Sequence, residues 1–394
     1  MSAPTLPADG HVRAADLERL RQALAADGLE PSATRVAAIL RAEGRVLGDG
    51  AILAIVDALR RDTVGAGPLD DLLRQPGVTD VVVNGHEAVF VDRGVGLERT
   101  GLRFPDEEAL RRLAQRLAAS GGRRLDDACP FVDLRLPDGI RFHAVLAPLA
   151  RPGTAMSLRV PAHRVFTLEQ LQAAGTVTQL GADLLRDLVA SRAAFLVTGG
   201  TGGGKTTLLS ALLGLVSADE RLVIIEDASE LRPDHPHVVG LEGRPANVEG
   251  AGAVSVRDLV RQALRMRPDR LIVGEVRGAE VVDLLAALNT GHEGGCGTIH
   301  ANSASDVPTR MEALGVAAGL SREALHSQLA SALHVVVHIV RPRQGPRQVR
   351  EIAVLRPDAD GLVCCESAVV FDAAGAAVAG PGARRLEHLV AGAA

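Results

Sequence analysis

The chain of 394 residues has no tryptophan and no tyrosine, and aromatic side chains make up only 2% of it. Its cores must therefore be built from Leu, Val, Ile and Ala, and few rings are present to stack on nucleic-acid bases. Lysine is scarcer still, since Lys205 stands alone against 42 arginines. A composition rich in Ala, Arg and Gly explains the rarity of lysine but not where the one lysine sits. No stretch approaches the roughly 20 apolar residues of a membrane-spanning helix. The run from Met1 to Asp9 lacks the basic and apolar regions of a signal peptide. A cytoplasmic protein is the expectation. Four cysteines, Cys129, Cys296, Cys364 and Cys365, form neither a C-x-x-C pair nor a disulfide framework, so reduced thiols are expected. A formal charge of −5 argues against a general polyanion binder, and no strong nucleic-acid signal is present.

The solitary lysine lies in Gly199-Gly200-Thr201-Gly202-Gly203-Gly204-Lys205-Thr206, a complete G-x-x-x-x-G-K-[ST] loop. The apolar run Ala194 to Val197 leads into it, and Thr207 to Leu213 reads as a helix leaving it. Glycines let backbone amides approach phosphate oxygens at the positive end of that helix. A compact ammonium on a flexible stem suits a β/γ-phosphate pair, and the Thr206 hydroxyl suits Mg²⁺. Nucleotide binding follows from loop, strand and helix together.

Length and a hydrophobic content of 47% predict two or three domains with sizeable cores. Residues 1–65 read as a helical arm, with Leu17, Leu20 and Leu24 on one apolar face and Val36, Ile39 and Leu40 on another. Residues 66–162 read as an α+β domain with an antiparallel sheet. Its strands are expected at 78–83, 88–91, 97–104, 131–136, 140–146 and 155–160, with Asn84-Gly85 as a hairpin turn and a helix from Pro105 to Gly121. Residues 163–394 read as a linker and an α/β wound sheet. Strands are expected at 194–198, 221–226, 237–241 and 270–274, an antiparallel addition at 335–371, and a loosely ordered tail beyond Ala373 apart from a short helix at Leu386 to Leu389.

Two apolar strands end in acids, Val223-Ile224-Ile225-Glu226-Asp227 and Leu271-Ile272-Val273-Gly274-Glu275. Strand ends in a P-loop sheet face the phosphates, which puts Glu226 where it can polarise a water. The second strand lacks the usual Walker B aspartate and carries Glu275 instead. Asn289 to Asn302 then brings His292 and His300 in a glycine-rich setting, as zinc ligands, phosphate sensors or satisfied polar residues. Zinc is disfavoured because Cys296 is the only obvious partner. Arg257, Arg261 and Arg265 mark one face of a helix, a solvated stripe or one that meets a neighbour's carboxylates.

In order, these boxes resemble the ATPase superfamily of type II and type IV secretion, and specifically its tight-adherence (Flp) pilus assembly branch. The likeness includes Asp80 to Gly85 and Val132 to Gly139, and so covers about residues 66–355. It implies a RecA-like P-loop domain preceded by a PAS-like α+β sheet domain, ATP and Mg²⁺ as ligands, and a homo-oligomeric ring, a hexamer. By the same resemblance Gly199 to Thr207 hold the nucleotide, Lys205 and Thr206 act on phosphates and Mg²⁺, and Glu275 holds Mg²⁺ through water. Glu226 would orient the attacking water, His292 and His300 would couple phosphate state to domain closure, and Arg141 and Arg159 would reach the phosphates from the sheet domain. The implied partner is an inner-membrane platform protein, met at the inner face of the cytoplasmic membrane, and the implied work is pilus assembly or protein secretion. The stretch Gly294-Gly295-Cys296-Gly297 is similar to an actinobacterial subgroup labelled conjugal-transfer-associated, so an ATPase acting on nucleic acid is the competing expectation.

Overall fold

The computed structural model describes residues 65–391 apart from 95, 162–164, 247–249 and 343–344, together with residues 20, 32–42, 48, 50–53 and 55–56 of the arm. It divides into two compact units, residues 1–161 and 162–394.

In the first unit, helix α1 (Ala33–Ala42) buries Val36, Ala37 and Leu40 in a small cluster with Leu20, Ile52, Ile55 and Val56. Leu17 and Leu24 of the expected apolar face lie outside the described residues. The rest is a six-stranded antiparallel sheet of β1 (Asp80–Asn84), β2 (Val89–Asp92), β3 (Leu97–Arg99), β4 (Phe131–Arg135), β5 (Arg141–Val145) and β6 (Ala155–Arg159). The strand order is β3-β2-β1-β6-β5-β4. Period-two alternation sends Val81, Val83, Val89, Val91, Phe142 and Leu158 to one face, where Leu110, Leu113 and Leu117 of α2 (Glu107–Ser120) complete the core. Asp106 caps that helix by accepting from the Ala109 amide. Strand β3 is shorter than expected. The Thr100 hydroxyl accepts from the Leu102 amide at 3.2 Å, a local turn that replaces the ladder before Phe104.

The second unit opens with α3 (Leu168–Ala173) and α4 (Gln179–Ala190), capped by Thr167 and Thr178. A nine-stranded sheet follows, with order β15-β14-β13-β12-β7-β11-β10-β8-β9. Its parallel part is β7 (Phe195–Thr198), β8 (Leu222–Glu226), β9 (Val238–Glu242), β10 (Arg270–Val276), β11 (Cys296–Ile299) and β12 (Val335–Val340). β13 (Gln348–Pro357), β14 (Val363–Phe371) and β15 (Ala377–Ala379) add antiparallel pairs at one edge. β7, β8 and β11 are buried at every residue, as the central strands of a sheet covered on both faces must be. One face packs Phe195, Val197 and Ile272 against Leu208 and Leu212 of α5 (Lys205–Leu213). The other packs Leu196, Val223 and Val273 against Val260 of α6 (Val256–Ala263), Leu284 of α7 (Glu280–Leu288), Met311 of α8 (Val307–Ala317) and Leu329 of α9 (Arg322–Ala332). Each fully buried side chain of this kind contributes about 1.5–3 kcal/mol. The parallel register brings the carboxyl ends of β7, β11, β10 and β8 to one edge.

The tail departs from expectation. Beyond Ala373 the chain adds β15, with Ala377 opposite Phe371, and then α10 (Ala383–Ala391). Leu386 is buried in the same core as Phe371 and Val369, with Leu389 and Val390 packed beside it. An Ala- and Gly-rich composition hides this stripe at i, i+3 and i+4, which suffices to dock a helix.

Candidate nucleotide site

β7 delivers the chain to that edge at Thr198, and the backbone turns through Gly199 at φ +157°. A Cβ there would stand 2.2 Å from the Ile339 carbonyl oxygen of β12, so only glycine lets the loop lie this close. Gly200, Thr201, Gly202 and Gly203 complete the loop, and Gly204 at φ +96° starts α5 in a left-handed cap. The first amides of α5 have no acceptors within the helix and lie at its positive end. Thr206 and Thr207 stand half-buried on its first turn. Lys205 folds back, its Nζ donating to the carbonyls of Gly199 at 3.0 Å and Gly200 at 3.2 Å. It is 7% exposed, and burial lowers its pKa while Glu275 and Glu230 pull the other way. Loop amides and a desolvated ammonium together form a trap for a multiply charged anion.

The neighbouring strand ends supply the acids. The Lys205 Nζ lies 3.3 Å from His300 Nδ1, and His300 Nε2 donates to Glu275 Oε1 at 2.7 Å. Arg277 pairs with the other Glu275 oxygen at 3.1 Å and with Asp227 at 3.0 Å. Lys205, His300, Glu275, Arg277 and Asp227 thus form one connected chain across four strand ends. Burial, then the Lys205 charge, hold the His300 pKa below its ordinary value against the pull of Glu275. A neutral ring with one donor and one acceptor nitrogen matches those two contacts.

Glu226, at the end of β8, is 7% exposed and accepts from the amides of Glu230 and Leu231, each at 3.1 Å. Burial pushes its pKa up to about 7, with those amides acting in the opposite direction. The side chain lies against β10, where a Cβ on Gly274 would come within 2.4 Å of its Cγ. The absent Walker B aspartate has its reason here, because a side chain at 274 would displace Glu226. The oxygens of Thr206 and Glu275 suit Mg²⁺, a hard cation that takes few protein ligands and keeps waters and phosphate oxygens for the rest. Among the described residues no group of three or more His, Cys, Asp or Glu could hold a metal ion by itself.

One sequence expectation does not meet at this edge of the sheet. His292 precedes β11, whereas His300 follows it, so the strand separates the pair, and His292 Nδ1 bonds the Ala287 carbonyl near the end of α7 at 3.2 Å. The histidine box therefore places one residue at the loop and one on the far side of the sheet, where it ties down a helix terminus. Within its own unit, Arg141 is the register partner of Arg159 and pairs with Asp133 at 2.7 Å, while Arg159 pairs with Asp80 at 3.3 Å. Of the arginine stripe, Arg257 and Arg261 share Asp283 of α7 at 2.6 and 2.7 Å. Sequence reasoning missed Arg347, whose Nε donates to the Gly202 carbonyl at 3.0 Å, and Arg341, whose guanidinium lies beside Gly202. The signal available was the arginine cluster immediately after an apolar strand.

Known proteins resemble this chain in sequence and in fold. The family described as type II/IV secretion system protein matches residues 62–375. A putative conjugal transfer protein of Mycobacterium tuberculosis is 58% identical over 324 residues, covering 81% of this chain and 92% of that protein. The conjugal transfer protein TrbB of Rhizobium radiobacter is 34% identical over 282 residues, covering 70% and 83% respectively. The X-ray structure of the Yersinia pseudotuberculosis ATPase DotB shares the fold, with a TM-score of 0.50 at 16% identity over 79% of this chain and 78% of that one. With four fifths of its length matched and its phosphate loop, acidic strand ends and His300 assembled at one edge of the sheet, the chain belongs to the type II/IV secretion system protein family.

Proposed function

We propose that this protein hydrolyses Mg·ATP at the loop 199–207 and spends the energy in driving a membrane-bound secretion or pilus-assembly machine, working as a ring of six copies at the inner face of the cytoplasmic membrane. The observation that carries the proposal is the connected set Lys205, His300 and Glu275 beside an anion-binding loop. Lys205 leaves the Gly199 and Gly200 carbonyls for the β- and γ-phosphates. Thr206 would hold Mg²⁺ directly and Glu275 through water, and the ion would supply neutralisation of charge on the phosphate oxygens. Glu226 orients a water and takes its proton, a task suited to a carboxylate poised near pH 7. His300 joins Lys205 to Glu275, so a change at the phosphates shifts both. Arg141 and Arg159 supply further positive charge from the sheet domain. The inner-membrane platform protein of the machine receives the resulting motion.

A second reading is favoured by the names of the relatives, two of which are called conjugal transfer proteins. In it the machine moves nucleic acid. The net charge of −5 and the scarcity of aromatics weigh against direct handling of DNA by this chain. Steady-state ATP turnover of the purified protein with and without single- and double-stranded DNA separates the two. Turnover that is lost in Lys205→Ala and indifferent to DNA supports the first, strong stimulation by DNA moves the second ahead, and turnover that survives Lys205→Ala removes the loop from either.

A further inference from the structure

Asp227 and Arg277 stand in the same chain of contacts as Lys205, His300 and Glu275, yet hydrolysis as proposed gives neither of them a task. Strands β8 and β10 run in parallel with Ile225 opposite Val273, so two residues further on Asp227 and Glu275 leave the sheet side by side. Two carboxylates at neighbouring strand ends repel, and a cation between them turns the repulsion into attraction. Arg277 is that cation. Its Nε lies 3.0 Å from Asp227 Oδ2 and its Nη2 lies 3.1 Å from Glu275 Oε2, so two nitrogens of one rigid plane serve two acids. A lysine ammonium is a point charge without that fork.

The backbone beneath Arg277 is anchored too. The amides of Arg277 and Gly278 both donate to Glu280 Oε1 at 2.7 Å, and Glu280, at the start of α7, is 7% exposed. The consequence falls on Glu275. His300 Nε2 stands 2.7 Å from one of its oxygens and Arg277 faces the other, which fixes the plane of the carboxylate from both sides. The side chains of Arg277 and Asp227 are 50% and 46% exposed, and ion pairs that open to water add little to folding. Fixing where Glu275 points matters far more, because a misplacement of about 1 Å in a reaction site can cost about a hundredfold in rate.

We infer that Arg277 is a positioning residue of this site: it holds Glu275 in its working orientation, and Asp227 acts on the reaction only through Arg277, by keeping the guanidinium between the two strand ends. The inference rests on the hydrolysis reading above and adds to it the tie between the end of β8 and the end of β10. Asp227 follows Glu226 directly in the chain, so the acid that tethers Arg277 and the acid proposed to orient the water move as one piece. A shift of that piece reaches Glu275 through one side chain, and from Glu275 it passes to His300 and Lys205.

The test measures kcat and KM for Mg·ATP, ADP affinity and melting temperature of the full-length protein, in wild type, Asp227→Asn, Arg277→Gln, Arg277→Lys and the double variant Asp227→Asn/Arg277→Gln. The expected result is kcat reduced about tenfold or more by Arg277→Gln and about threefold by Asp227→Asn, with the double variant no slower than Arg277→Gln alone. Arg277→Lys should recover part of the loss, since the charge returns without the fork. ADP affinity and melting temperature should match wild type in every variant, which also shows that the variants are folded. Losses that multiply in the double variant, or an Arg277→Gln protein with the kcat of wild type, overturn the inference and leave the loop reading intact. A fall in ADP affinity or melting temperature in step with kcat also overturns it, because Arg277 would then support the fold rather than aim Glu275. Wild-type turnover that survives Lys205→Ala overturns the loop reading and this one with it.

Discussion

The two ends of the same parallel strands hold their charged groups in different ways. At the amino ends, Glu220 ahead of β8 accepts from Arg270 at 2.8 and 3.0 Å and from Arg192 at 2.7 Å. Burial alone would raise its pKa, yet the two guanidinium groups hold it down to about 2. At the carboxyl ends, Glu226 is raised to about 7, and Lys205 and His300 are both lowered. One end has satisfied its charges with fixed partners and supports the sheet. The other leaves its charges strained, in contact chiefly with backbone and with one another, as a site does when its strongest partner is a ligand.

The largest effect that could break this contrast is on turnover. Glu275→Gln keeps the shape of the carboxyl end and removes its charge, and ATP hydrolysis is expected to fall about 10²–10³-fold with ADP binding retained. Phosphate-release kinetics alongside ADP titration measure it, and full activity would take Glu275 out of the machinery. The matching change at the amino end, Arg270→Ala, removes a partner that is 2% exposed and leaves the half-buried Glu220 with Arg192 alone. It should cost about 3 kcal/mol in chemical unfolding while folded protein binds ADP as before. An Arg270→Ala protein of normal stability but weakened ADP binding would reverse the roles of the two ends.

pH sharpens the comparison because the two carboxylates move in opposite directions. The Glu226 pKa is raised on folding, from 4.5 to about 7, so its contribution to stability is complete below the unfolded value and is lost as pH rises through about 7. The Glu220 pKa is lowered, so its contribution is present above 4.5 and lost as pH falls towards 2. Glu226→Gln should accordingly be about 3 kcal/mol more stable than wild type at pH 8 and equal to it near pH 4, while losing turnover. Wild-type turnover should rise as pH passes about 7. Equal stability of the two proteins at pH 8 would show that the fold does not raise the Glu226 pKa.

The histidine pair gives the smallest expected effect and separates the residue beside Lys205 from the one beside α7. His300→Ala should lower turnover about tenfold or more, since it breaks the link from Lys205 to Glu275. His292→Ala should change turnover by less than about twofold and cost about 1 kcal/mol in thermal unfolding, the loss of one hydrogen bond to Ala287. Equal losses of activity would return His292 to the site.

Much of the fold was legible because buried parallel strands read as unbroken apolar runs. Leu222 to Glu226 and Arg270 to Val276 were found for that reason, as was the phosphate loop between β7 and α5. The site was partly legible. Acids at strand ends announce themselves locally, so the positions of Glu226 and Glu275 at the ends of β8 and β10 were legible, but which end of β11 a histidine occupies depends on where the strand begins. That boundary follows from pairing Cys296 with Phe195, a long-range fact that no local pattern contains. Arg347 was hidden for the same reason, because its approach to Gly202 spans 145 residues of sequence. The docked tail was underestimated because composition was weighed above the spacing of Leu386, Leu389 and Val390.

The central claim is that the carboxyl-end cluster hydrolyses ATP in an assembled ring. Its most direct test is steady-state Mg·ATP hydrolysis by the full-length protein across a range of protein concentrations, for wild type and Glu275→Gln. The account predicts a specific activity that climbs as subunits assemble and is lost in the variant at every concentration. Activity per subunit that is independent of concentration, or that persists in Glu275→Gln, would contradict it.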